Sequence, residues 1–191
     1  MTPRVLQGVM VAIVAGAALI GACDPVHQSE IDALGPEDPR VGRGPLHRPG
    51  QPCITCHISP GAASPTFTVA GTIFQNPDVL KDGSTELHRE PAVDAQVQMT
   101  DALGRVYTAR TNAAGNFYLT KEQFDPAYPM FVKLCTGDGC DPSAATPTAN
   151  PMKTHIGREG SCASCHSDPE GRTSVGHVFL VDPASSPAAT P

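Results

Sequence analysis

The chain is predicted to be mainly β, a small antiparallel sandwich with irregular, loop-rich segments at both ends. Two observations predict it. The middle of the chain is a series of short stretches that alternate apolar and polar residues and are separated by turn signals at regular spacing. The chain also holds 20 proline and 18 glycine among 191 residues, which favours turns and leaves little room for long helix.

The predicted strands run in order. Residues 66–74 have the branched and aromatic content of a first strand. Residues 95–100 alternate, Asp101-Ala102-Leu103-Gly104 reads as a turn, and residues 105–111 alternate again. Asn112-Ala113-Ala114-Gly115-Asn116 is the next turn, and 117–119, 130–135 and 176–181 complete the set. Residues 23–50 carry Pro25, Pro36, Pro39, Pro45 and Pro49 without clear apolar periodicity, and read as an extended, solvated tether. Residues 183–191, Pro-Ala-Ser-Ser-Pro-Ala-Ala-Thr-Pro, read as a disordered tail.

Two pentads flank the predicted sandwich: Cys53-Ile54-Thr55-Cys56-His57 and Cys162-Ala163-Ser164-Cys165-His166. The Cys-x-x-Cys-His spacing is the attachment signature of c-type haem. Two thiols bond the porphyrin covalently, and the adjacent imidazole takes the iron on its proximal side. A shuffle of 7 Cys and 7 His through this length would give on the order of 0.01 such pentads, so chance does not account for two. A four-thiolate zinc site and a redox-active thiol pair are the alternatives. Neither requires a His after the second Cys of both pairs. The expected cofactors are therefore two haem c groups, bound by Cys53, Cys56, Cys162 and Cys165, with His57 and His166 as proximal ligands.

The start of the chain agrees with an exported protein. Met1-Thr2-Pro3-Arg4 is a short basic region, and residues 5–22 are apolar apart from Gln7. The segment closes Leu19-Ile20-Gly21-Ala22-Cys23, which resembles the lipobox of bacterial lipoproteins. That resemblance implies a signal peptide over 1–22 and a lipid on Cys23, placing the protein in the bacterial cell envelope, facing the periplasm or the exterior. An uncleaved transmembrane anchor and an ordinary signal peptide are the alternatives. Cys135 and Cys140 then remain. In an oxidising compartment, with Gly137-Asp138-Gly139 between them as a turn, they are expected to form a disulfide.

Net charge is −6, and −7 once Arg4 leaves with the signal. This excludes nucleic acid as an expected partner and suits basic redox partner proteins. The acidic stretches around 86–90 and 138–141 lack any spaced carboxylate pair and read as solvated loop charge.

The runs Val69-Ala70-Gly71-Thr72-Ile73-Phe74, Ala92-Val93-Asp94-Ala95-Gln96-Val97-Gln98-Met99-Thr100-Asp101 and Thr108-Ala109-Arg110-Thr111-Asn112-Ala113-Ala114-Gly115-Asn116-Phe117-Tyr118 together resemble the carboxypeptidase regulatory-like, or transthyretin-like, domain. The resemblance spans roughly 75 of 191 residues, with Val93-Asp94 where that family has Gly before Ala, and an insertion at 76–91. It implies a small Greek-key-like sandwich without chemistry of its own. As a whole, the chain resembles a bacterial dihaem c-type cytochrome lipoprotein with such a domain between its haem motifs. The divisions are then 1–22 signal, 23–50 tether, 51–65 first haem-binding segment, 66–140 sandwich, 141–182 second haem-binding segment with closing strand, and 183–191 tail. Too little polypeptide surrounds each pentad for a helical class I cytochrome c fold.

Sixth ligands have several candidates. His47 lies six residues before Cys53 and His155 seven before Cys162, each in a Gly- and Arg-containing stretch that forms a weak internal repeat. His177 opens the last strand, and Met152 is a thioether alternative that ranks behind the histidines and would raise the potential. His27 lies in the predicted tether and reads as without a role, and His88, in the insertion, reads as solvated. The expected activity is electron transfer and not enzymatic catalysis. A dihaem peroxidase-like enzyme with one open iron, and a haem-based sensor or cell-surface interaction module, are the alternatives.

Overall fold

The computed structural model describes residues 25–59, 61–75, 90–136, 139–140, 149–167 and 171–180. Residues 1–24, which include the segment read as a signal and Cys23, the predicted insertion with His88, residues 137–138 and the predicted tail lie outside the described residues.

Seven strands form two sheets among the described residues: β1 (Val69–Phe74), β2 (Gln96–Thr100), β3 (Val106–Arg110), β4 (Asn116–Leu119), β5 (Phe131–Cys135), β6 (Ala149–Pro151) and β7 (Val178–Phe179). One sheet has the order β4-β1-β7 and the other β3-β2-β5-β6. The protein is thus mainly β and consistent with a sandwich, as its alternation predicts. Pairings are antiparallel except one: β1 and β7 run parallel, with Ile73 opposite Val178 and Phe74 opposite Phe179. A parallel pair needs a long crossover. Here nearly the whole domain is that crossover, so the first and last predicted strands become neighbours.

Alternation decides which side chains meet. Val69 and Ile73 of β1, Phe117 and Leu119 of β4, and Val97, Met99 and Leu134 of the other sheet form one core with Met130 and Phe124. Ala70, Thr72 and Phe74 therefore face the opposite way, as do Asn116 and Tyr118 on β4. All six residues of β1 are nonetheless buried. Both faces of this strand are covered, the inner by the second sheet and the outer by chain outside the sandwich.

The structure departs from the predicted elements in three places. A nine-residue helix, α1 (Pro25–Ala33), stands where an extended tether is expected. Its sequence signal is Pro25, which is pre-shaped for a first helical turn. The end of that tether is docked: Asn112 Nδ2 donates to Pro45 O at 2.7 Å, and the Gly50 N–H donates to Thr72 Oγ1 at 2.7 Å. β6 is unpredicted. Its Ala-Asn-Pro sequence has low strand propensity, and Pro151 is tolerated because the strand lies at a sheet edge.

Candidate haem-binding sites

Both pentads fold into the same turn. Cys53–Thr55 and Cys162–Ser164 are 3-10 turns. In the first, the amides of Cys56 and His57 donate to Cys53 O at 3.2 and 3.0 Å. In the second, those of Cys165 and His166 donate to Cys162 O at 3.2 and 2.9 Å. After each pentad the chain loops out and returns to the carbonyl of the second Cys. Ala63 N donates to Cys56 O and Val175 N to Cys165 O, both at 3.0 Å. The returning segment then caps the pentad's imidazole. Nδ1 of His57 meets Pro65 O at 2.6 Å, and Nδ1 of His166 meets Gly176 O at 2.9 Å. A carbonyl at Nδ1 fixes the tautomer and leaves Nε2 with its lone pair, which is how a metal-binding histidine is ordinarily oriented.

The two modules meet at β1 on different faces. The first lies over the outer face. His57 is buried and stacks on Phe67 at 4.2 Å between centroids, and Phe67 stacks on Tyr118 at 4.7 Å. His47 stands across from it, with ring centroids 6.0 Å apart. Its Nδ1 is hydrogen-bonded to Gly44 O, and its carbonyl accepts from Asn116 Nδ2 at 3.1 Å. Both rings would be close enough to supply donors to one haem iron. His177 is on this same side, edge-on to Phe74 at 5.0 Å and against Gly50.

The second module enters from the sheet edge toward the inner face. Gly160 O accepts from Ala70 N at 3.0 Å, and Ser161 bridges Ala70 in parallel. Cys162 sits over Gly71, where an added Cβ would lie 2.9 Å from its Sγ. Beside it is a cavity of about 470 Å³ between the sheets, lined by Ile73, Phe117 and Val132, by Cys162, Cys165 and His166, and by His155 and Met152. The lining is mostly apolar, and the volume falls within the ~300–1,000 Å³ of sites that take a cofactor-sized ligand.

Burial pushes the Cys53 thiol up to about 11. It pushes Cys162 up to about 12, with the neighbouring Cys53 adding to the effect. A redox-active thiol is shifted the other way. Among the described residues no group of three His, Cys, Asp or Glu converges as a tetrahedral zinc site requires. A haem asks for less: two thiols in one turn, one or two axial donors, and an apolar surface. The residues present fit that group at both pentads. Cys135 and Cys140 are joined by a disulfide at the end of β5, with Cα atoms 5.3 Å apart. No described helix is long and apolar enough to cross a membrane.

Sequence spacing alone marks His57, His166 and the four cysteines. It misses the outer-face aromatics Phe67 and Tyr118, whose only sequence signal is alternation along β4 and proximity to His57. Comparison of the chain with known protein families, curated proteins and solved structures finds no match. The fold and sites together are a mainly β chain, consistent with a sandwich, with one Cys-x-x-Cys-His turn near each face of β1.

Proposed function

We propose that the protein is a dihaem c-type electron carrier of the bacterial cell envelope, tethered by a lipid on Cys23 and exchanging electrons with redox partner proteins. The observation that carries this reading is the repeated module, in which each pentad His has its Nδ1 capped by a backbone carbonyl and its Nε2 left to bind a metal. Bound haem supplies an iron that takes up and gives back one electron. The chain's own residues hold it in place. Cys53 and Cys56 fix one macrocycle, Cys162 and Cys165 the other, and His57 and His166 meet the irons. His47 is the first site's opposing donor. The loop before the first pentad is hydrogen-bonded to β1 through Gly50 and Thr72, and the segment before the second through Gly160 and Ala70, which supports two haems carried on one scaffold and exchanging electrons. The Lys+Arg count of 13 against 19 Asp+Glu favours basic partners.

The test is the mass of the chain matured where haem is attached covalently. Two haems per chain are expected, and one after Cys53 and Cys56, or Cys162 and Cys165, are replaced by Ala. A bound zinc ion, or a chain without covalent haem, would refute the reading.

A further inference from the structure

We infer that the sixth ligand of the second iron is Met152, not His155, so that the two haems differ in axial ligation. The inference rests on the dihaem reading above. It follows from which way each side chain faces on the four-stranded sheet. Lys133 is opposite Pro151 and Leu134 opposite Asn150, and Met152 N donates to Val132 O at 2.9 Å. The register thus continues to a Val132–Met152 pair. Directly opposed residues share a face. Leu134 is in the core, and Val132, two residues away, packs against the core and lines the cavity. Met152 accordingly faces inward, across the space between the sheets from Cys162.

His155 has the opposite placement. Its neighbour Ile156 exchanges backbone hydrogen bonds with Met130, at 2.8 and 2.9 Å, and packs against the core. An extended residue next to an inward one faces outward. The His155 ring indeed lies 6.0 Å from Phe131, which is 54 % exposed, and His155 is itself exposed. His177 is on the other side of β1, against Phe74 and Gly50. His155 borders the same cavity as His166 but is exposed and lies next to the inward Ile156, whereas Met152 borders that cavity from the inward face of the sheet.

The consequence is directional. A thioether opposite histidine raises an iron's reduction potential relative to two imidazoles. The inner site then has the higher potential, and an electron entering at the outer site settles on the inner one.

The test uses the haem-loaded full chain and optical spectra. The wild type should show the weak far-red thioether-to-ferric-iron band at an intensity of one haem of two, and should resist carbon monoxide. Met152→Leu should abolish that band and leave one haem of two high-spin and open to carbon monoxide, with two haems still present by mass. His155→Ala, at an exposed position, should change neither spectrum nor ligand binding. The inference is overturned by a wild type without the band, by a Met152→Leu protein with both haems still low-spin, or by an iron opened in His155→Ala. A chain lacking two covalent haems would instead defeat the reading beneath it, and the mass would reveal this before any spectrum.

Discussion

The two pentad modules share one local plan and live in different surroundings. Their turns, their returning amides and their imidazole caps correspond bond for bond. Yet His57 is buried beneath an aromatic stack with His47 already opposite, whereas His166 is partly exposed beside an apolar cavity. The difference arises at β1. One module covers the outer face, where Thr72 and the β4 residue Asn116 catch the 45–50 loop by hydrogen bonds. The other slides in at the edge beside Ala70 and reaches the inner face over Gly71. A five-residue motif can set a turn and a proximal ligand. The face of the strand it lands on sets everything beyond that.

If the modules are separable in this way, damage to one should spare the other. The largest effect is expected at Gly160. A Cβ there would lie 2.0 Å from Thr68 O and 2.9 Å from Val69 Cα, both on backbone that cannot yield. Gly160→Ala should cost about 3 kcal/mol in denaturant unfolding, and peptide mapping should find haem missing at Cys162 and Cys165 while Cys53 and Cys56 keep theirs. Equal loss at both pentads would show that the modules are not independent.

Phe67→Ala is the converse experiment. It removes the ring stacked between His57 and Tyr118, at a cost of about 2 kcal/mol for two aromatic pairs. Haem count should remain two. The ferric spectrum of the first haem should change as its proximal ring gains freedom, and that of the second should not.

The smallest effect lies in the sandwich itself and should touch both sites alike. Burial alone would raise the Asp101 carboxyl. Hydrogen bonds from the amides of Ala127, Arg105 and Leu103 and from the Arg105 guanidinium outweigh it and hold the group at about 2, below its ordinary 3.8. A carboxyl lowered by folding stabilises the native state above its unfolded value and loses that contribution as pH falls through its folded one. Unfolding free energy should therefore decline between about pH 4 and pH 2, and Asp101→Asn should flatten that part of the curve. A decline of the same size in the variant would remove Asp101 from the account.

Much of this fold is legible in the sequence because alternation is a local signal. The strand pairs around Asp101-Ala102-Leu103-Gly104 and the turn at 112–116 can be read directly, as can the pentads. Other features depend on partners far away. The 45–50 loop reads as free tether because Asn112 and Asn116, which hold it, are 67 and 69 residues distant from Pro45 and His47. β6 is hidden by proline, and with it the register that turns Met152 inward. The parallel pairing of β1 with β7, which brings the modules together, is a property of the closed sandwich and of no shorter segment.

The central claim is that one strand holds both haems. Dipolar coupling between the two ferric irons, measured by pulsed paramagnetic resonance on the fully oxidised protein, tests it most directly. Modules held beside one strand predict two coupled centres within about 20 Å, less than the diameter of a small domain. Two uncoupled ferric signals at a larger separation, or a single ferric centre, would contradict it.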